Sequence, residues 1–325
     1  MTATRPRLYI SRLLPEPVMA VARKQFMLIG HPGETSPSPS EVAAGLREAD
    51  AAIVTLTERI DAGTIGSASR LKVLANYAVG YNNIDLAALS KHGIVVSNTP
   101  DVLTDATADL TWALILAAAR RVNEGDRLVR SGAWTGWTPI QLLGAEVAGR
   151  TIGIVGLGRI GQAVAQRALG FRMTVLYSSR RPVAELPKDL PWRAVALAEL
   201  LQQADFVSLH VPLSAATRHL IDGPELRMMK PTAFLINTCR GPVVNESALV
   251  EALERGTIAG AGLDVYEDEP AVHPGLAGHE RTVLLPHLGS ATWSARVQMG
   301  MICLKNVEAV LAGRPAPNRV GAQVA

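Results

Sequence analysis

Apolar residues in the first hundred positions arrive in short runs, at 8–10, 27–30, 51–55, 71–78 and 94–100. Between them lie stretches with helical spacing: 15–26, 41–49 under a Ser40 cap, and 83–92 closed by Gly93. Short β-rich runs separated by amphipathic helices predict βαβ units around a parallel sheet. A long helical stretch over about 104–130 interrupts the alternation and leads into a loop rich in glycine and tryptophan at 131–144. The rhythm restarts at 151–161 and continues through 174–177, 205–211, 233–238, 260–265 and 282–287, which predicts a second sheet. From Ser290 to about Gly313 the pattern is that of an amphipathic helix and not of a terminal strand. This helix is expected to cross back to the first unit and make it discontinuous.

Composition narrows the class. A chain of 325 residues suits two domains at roughly 150 residues each. With 48% hydrophobic and 19% charged residues it can fill a packed core, which excludes a disordered chain. The 32 basic and 29 acidic residues leave a net charge of only +3, spread along the chain, and aromatics total 4%. Nothing there calls for a nucleic-acid partner. Cys239 and Cys303 are too few for a disulfide framework and lack metal-ligand spacing, so no metal and a reducing, cytoplasmic setting are expected. Arg5, Arg7 and Arg12 surround too short an apolar stretch for a signal peptide. The longest apolar run, Trp112 to Ala119, falls well below the roughly 20 residues that span a bilayer. No membrane association is expected.

Gly156, Gly158 and Gly161 form a G-x-G-x-x-G turn directly after one apolar run and directly before a helix. That context is the dinucleotide-binding one: a tight turn, a close backbone approach to pyrophosphate, and close packing of helix on strand. The helix N-terminus adds partial positive charge for the phosphates. In an NAD site an acid about 20 residues on binds the ribose 2′-OH. Here that count lands on Ser178, and no acid occurs before Glu185. Ser179, Arg180 and Arg181 would instead donate hydrogen bonds and charge to a 2′-phosphate, which predicts a preference for NADP with NAD possible. A solvated surface arginine pair is the bland alternative.

His287 and His210 both end apolar runs, where ligands sit in open α/β sheets, so position alone does not choose between them. Arg240, in C-R-G after another run, is placed to fork onto a substrate carboxylate. Glu269 closes an acidic run that by itself reads as a solvated loop, and Asp264 reads equally as a cap or turn residue.

The segments 76–85, 105–121, 155–161, 210–221, 236–249, 261–270 and 285–292 together resemble the D-isomer-specific 2-hydroxyacid dehydrogenase family, most closely its glyoxylate/hydroxypyruvate reductase branch. The resemblance implies two Rossmann-like, doubly wound parallel-sheet α/β domains. The substrate domain (flavodoxin-like, residues 1–100 and 290–325) is discontinuous, and 101–289 forms the dinucleotide-binding domain. It implies a catalytic trio of Arg240, Glu269 and His287. Cofactor contacts are expected at Gly158, Arg159 and Ile160, at Ser179 to Arg181, and at Pro212, Thr238, Asp264 and Thr107. Backbone N–H groups of Val79 and Gly80 would hold the substrate carboxylate, with Ser290 nearby. Residues 101–147, including Trp134 and Trp137, would make a homodimer contact, where the tryptophans alone read as internal packing.

The activity so implied is reduction of a small 2-oxo acid, glyoxylate or hydroxypyruvate, by hydride from NADPH. His287 would act as general acid and Glu269 would favour the charged imidazole. A 2-ketogluconate reductase of the same family is the main rival. A nucleotide-sensing scaffold like the family's corepressors is a remote one.

Overall fold

The computed structural model describes residues 5–30, 33–66, 70–180 and 192–321. Contacts within the chain divide it into two compact units, Met1–Leu103 with Ala291–Ala325, and Thr104–Ser290. Among the described residues the strands, in chain order, are β1 (Arg7–Ile10), β2 (Met27–Ile29), β3 (Ala51–Val54), β4 (Val73–Asn76) and β5 (Val95–Ser97). They continue with β6 (Thr151–Val155), β7 (Thr174–Ser178), β8 (Trp192–Ala194), β9 (Phe206–Leu209) and β10 (Phe234–Asn237). The last are β11 (Gly260–Leu263), β12 (Thr282–Leu284) and β13 (Arg319–Val320).

In the first unit the strand order is β13-β5-β4-β3-β1-β2, parallel throughout except that β13 runs antiparallel to β5. All four residues of β3 and all four of β4 are buried. Strands covered on both faces read as continuous apolar runs, as the sequence pattern here does. The helix Trp293–Leu311 returns to this unit and packs on β4, where the Tyr77 hydroxyl donates to the Arg296 carbonyl at 2.6 Å. Gly300 sits so close to Val18 that a Cβ would lie 2.6 Å from a valine methyl.

The second unit carries the order β12-β11-β10-β9-β6-β7-β8, parallel in every pair. The chain runs outward from β6 to β8, then resumes on the other side at β9, so the strand order reverses between β6 and β9. Open α/β sheets bind ligands at such a reversal, beyond the carboxyl ends of the strands. Trp112 anchors the long helix Thr104–Arg120 over this sheet, stacked on Phe171 with ring centroids 4.6 Å apart and donating Nε1–H to the Val164 carbonyl.

Two local expectations are corrected, two short strands are added, and the alternative of internal packing for Trp134 and Trp137 falls. The helix Pro39–Glu48 is capped by Ser38, not Ser40: the Ser38 hydroxyl accepts from the Glu41 N–H, and the Glu41 carboxylate accepts from the Ser38 N–H at 2.7 Å. That is a capping box with proline at the first helical position. The stretch 104–130 is two helices, Thr104–Arg120 and Val122–Arg130, because Arg121 adopts φ +54 and pairs with Glu124. The short edge strands β8 and β13 are additions too brief for periodicity to show. Finally, Trp134 and Trp137 are not packed inside their unit; they are 51% and 79% exposed, beside Ile140 and Leu143 at 80% and 66%.

Candidate active site

The glycine turn sits at the carboxyl end of β6, and two of its glycines, Gly156 and Gly161, are required by close contacts. Gly156 has φ +97, and a Cβ there would come within 2.7 Å of the His210 carbonyl at the end of neighbouring β9. At Gly161 a Cβ would strike the Gly156 carbonyl, so the helix Arg159–Ala168 can approach its strand only with hydrogen at that position. Gly158 faces open space and caps that helix without any side-chain hydrogen bond. The first-turn amides, including Ile160 and Gly161, are therefore left without a side-chain cap. Together with the exposed Arg159 they suit an anionic group.

β7 ends at Ser178, whose carbonyl accepts from the Gly156 N–H at 2.8 Å. Ser179 and Arg180 follow and are exposed, while Arg181 lies outside the described residues. Exposed Pro212 follows β9, its carbonyl held by the Thr217 hydroxyl at 2.6 Å. These residues fit a nicotinamide dinucleotide: an open, positively polarised phosphate turn at the strand reversal, with a hydroxyl and a cation at the next strand end.

The chemistry-bearing side chains stand on the loops after β10, β11 and β12. Arg240 leaves β10 through a turn built by Asn237, whose Nδ2 donates to the Arg240 carbonyl at 2.9 Å and whose Oδ1 accepts from the Cys239 N–H at 3.1 Å. Gly241 follows, and a Cβ there would overlap the Tyr266 carbonyl, so this loop lies backbone against backbone on the loop after β11. Burial lowers the Arg240 guanidinium from its ordinary value, opposed by the charge of Glu269. Cys239 donates its thiol to Asn237 Oδ1, and burial pushes that thiol up to about 11. It is packed and protonated, not a reactive thiolate.

Glu269 and His287 meet directly, with Oε2 2.8 Å from Nδ1, and Glu269 Oε1 accepts the Tyr266 N–H at 3.1 Å. Burial alone would raise the Glu269 carboxyl. The hydrogen bond and charge of His287, the Tyr266 N–H and the Arg240 charge outweigh it and leave this carboxyl below its ordinary value. His287 adopts φ +56, uncommon for a residue with a side chain, and donates its N–H to the Asp264 carbonyl at 2.9 Å. The Asp264 carboxylate, wholly buried, then accepts the N–H of Leu288 at 2.6 Å and of Gly289 at 2.8 Å. Burial raises its pKa against those two donors. One aspartate thus holds the turn that aims the imidazole at Glu269.

A buried hydroxyl chain continues from this turn. Thr107 donates to the Gly289 carbonyl at 3.0 Å, Thr111 to the Thr107 carbonyl at 2.8 Å, and the hydroxyls of Thr111 and Thr238 share a hydrogen bond of 2.9 Å. Thr107, on the long helix, is therefore joined through the interior to Thr238 and Asp264, which stand at strand ends. His210 differs: its Nε2 pairs with the Ser208 hydroxyl at 2.8 Å, and burial drives its pKa down to about 3, so it stays neutral. The geometry separates the two histidines that strand position could not. Ser290 closes the second unit, whereas Val79 and Gly80 lie in the first, three and four residues beyond the end of β4. Sequence reasoning passed over Asn237, Gly241 and Tyr266, which act through a carboxamide, a missing side chain and a backbone N–H.

A doubly wound sheet with a phosphate turn at its reversal point, and an arginine and a carboxylate–imidazole pair on adjoining strand ends, defines a nicotinamide-dependent oxidoreductase. The model of the D-isomer specific 2-hydroxyacid dehydrogenase NAD-binding domain matches residues 112–289. A glyoxylate reductase of Thermococcus onnurineus is 47% identical over 324 residues, covering 98% of this chain and 97% of that protein. The TT0316 protein of Thermus thermophilus superposes with a TM-score of 0.90 at 44% identity, covering 97% of this chain and 100% of that one. An NADPH-dependent glyoxylate/hydroxypyruvate reductase of Sinorhizobium meliloti, solved with NADP and malonate, gives 0.87 at 32% identity over 98% and 97% of the two chains. The chain belongs to the D-isomer-specific 2-hydroxyacid dehydrogenase family.

Proposed function

We propose that this protein reduces glyoxylate and hydroxypyruvate to the corresponding 2-hydroxy acids, with NADPH preferred over NADH. The observation that carries the reading is the His287–Glu269 pair at 2.8 Å, on a turn held by Asp264, in a chain similar to glyoxylate reductases over its full length. The bound nicotinamide supplies hydride to C2 of the 2-oxo acid. Arg240 holds the carboxylate and carbonyl by its planar fork, and the N–H groups of Val79 and Gly80 receive the carboxylate, with Ser290 as a further contact. With Nδ1 engaged by Glu269, the imidazole keeps Nε2 for the substrate, where it delivers a proton to the oxygen as negative charge develops. In the reverse direction the same nitrogen removes it.

The phosphate turn of Gly156, Gly158, Arg159, Ile160 and Gly161, with Pro212, Thr238, Asp264 and Thr107, holds the cofactor. Ser179, Arg180 and Arg181 receive a 2′-phosphate. Initial rates with glyoxylate, hydroxypyruvate and 2-ketogluconate, each with NADPH and NADH, test this. Highest kcat/KM on the two small acids with NADPH is expected; a larger value on 2-ketogluconate would reassign the substrate, and turnover of none would favour a nucleotide-sensing role.

The exposed Trp134, Trp137, Ile140 and Leu143, with Val122 and Val129 on the preceding helix, support a homodimer through this segment. Exposed apolar residues gathered in one stretch mark an association surface. Light scattering should give twice the chain mass, and Trp137→Glu with Ile140→Glu should give the monomer.

A further inference from the structure

The peptides that follow β4 are each fastened by their carbonyl. The Ala78 carbonyl accepts from the Thr99 N–H at 3.0 Å, the Val79 carbonyl from Asn98 Nδ2 at 2.8 Å, and the Gly80 carbonyl from Asn76 Nδ2 at 2.8 Å. These peptide bonds are trans, since the cis bond of the described chain is Glu269–Pro270. In a planar trans peptide the N–H points away from the C=O. Anchoring the three carbonyls therefore turns the N–H groups of Val79, Gly80 and Tyr81 away from the anchors, and among the described residues none of the three has a hydrogen-bond acceptor.

We infer that Asn98 is a positioning residue for the substrate-carboxylate site: by donating to the Val79 carbonyl it aims and polarises the N–H of Gly80, one of the two backbone groups that receive the anion. This rests on the reading of Val79 and Gly80 as the carboxylate's backbone donors. Hydrogen bonds in a chain strengthen one another, so a donor on the carbonyl makes the N–H of the same peptide a better donor. The loop is also held at its far end, where Asn83 Nδ2 donates to the carbonyls of Thr55 and Glu58, 3.0 Å each. Donors fixed in advance need no reorganisation when the ligand arrives.

Asn76, through the Gly80 carbonyl, fixes the next peptide and so holds the loop one step beyond the Gly80 donor. It is fully buried, and its Oδ1 has no partner among the described residues. A fold in need only of packing avoids that arrangement with leucine, because a buried unsatisfied acceptor is destabilising. Asn98 is held in place from its backbone, its N–H donating to the Asn318 carbonyl at 3.2 Å.

The test uses Asn98→Leu and Asn98→Asp, with cofactor binding followed by nucleotide fluorescence to certify the fold. Each should raise KM for glyoxylate roughly five- to tenfold, the factor of a lost hydrogen bond, with kcat changed less than twofold and cofactor affinity unchanged. In Asn98→Asp the ratio of its KM to that of the unaltered enzyme should shrink as pH falls from 7 to about 4, through the ordinary carboxylate range, because a protonated carboxyl regains a donor; in Asn98→Leu the ratio should stay flat. Unchanged KM in both variants, or equal pH behaviour of the two, overturns the positioning role while leaving the reductase reading intact. Should the unaltered enzyme turn over no 2-oxo acid with either cofactor, both readings fall. If Asn98→Leu does not fold, the pH dependence of Asn98→Asp decides alone.

Discussion

Nδ1 of His287 lies 2.8 Å from Oε2 of Glu269, while the backbone N–H of the same histidine reaches the Asp264 carbonyl at 2.9 Å. Side chain and backbone are thus held by two different acids, which divides their roles experimentally. Replacing His287 with alanine should lower kcat by about 10²–10⁴-fold, the range for a lost general acid, with a smaller effect on KM. Glu269→Gln keeps an acceptor but removes the charge, so kcat should fall less and the pH profile of reduction should move downward. Steady-state rates from pH 5 to 9 check both; an unchanged kcat in His287→Ala would remove the general-acid assignment.

Asp264→Asn should damage the site through the turn and not through charge at the substrate. One carboxamide cannot accept from both Leu288 and Gly289, since its nitrogen would face one of those N–H groups. We expect a loss of about 1–3 kcal/mol in unfolding free energy, and a drop in kcat from misdirection of His287. Urea unfolding beside initial rates measures both. Relief of the buried charge works in the opposite direction, so a gain in stability would show that desolvation dominates at this position.

Acid should dissolve the Glu269–His287 pair. The Glu269 carboxyl is held below its ordinary value in the folded state, so its ionised form contributes stability above the unfolded pKa, and that contribution is lost as pH falls through the folded value. The stability gap between the unaltered protein and Glu269→Gln should therefore be present at pH 7 and close below about pH 4. A gap that does not change with pH would locate the effect in packing.

Arg180→Glu should reverse cofactor preference. A carboxylate after β7 repels a 2′-phosphate and can accept from a ribose hydroxyl, so kcat/KM with NADPH should fall at least tenfold relative to NADH. Rates with the two reduced cofactors at one glyoxylate concentration suffice to see it.

Gly241→Ala places a methyl group on the Tyr266 carbonyl. The loops after β10 and β11 must then separate, and a loss of about 1–3 kcal/mol in stability with a matching loss of activity is expected, as for other overpacked sites. Thermal unfolding of this variant against Gly256→Ala, where added atoms meet open space but the backbone has φ +65, separates collision from backbone strain.

Much of this was legible in the chain. The apolar runs marked the strands because both sheets are covered on both faces, and Gly156, Gly158 and Gly161 showed themselves by context. His287 and Arg240 were nominated by residue type and strand end, whereas Glu269 read as a solvated loop, and only the resemblance picked out Glu269 and chose His287 over His210; the fold supplies the physical reason, a carboxylate at one imidazole and desolvation at the other. What escaped acts through backbone or absence: the amides that Asp264 binds, the Tyr266 N–H, the missing Cβ of Gly241. The Ser38 cap was missed although its S-P-S-E pattern was present, and the left-handed Arg121 has no signature in apolar spacing.

The chain leaves its first unit at Leu103 and re-enters it at Ala291. During synthesis the second unit is therefore complete while the first still lacks the helix Trp293–Leu311 and the strand Arg319–Val320. Asn98 waits for the Asn318 carbonyl, and Tyr77 for the Arg296 carbonyl, both some two hundred residues later in translation. A chain released near residue 290 would carry the glycine turn and the Glu269–His287 pair, while the loop after β4 lacked the partners that Asn98 and Tyr77 find later. On the proposed reading, such a product is expected to bind nucleotide without reducing a 2-oxo acid.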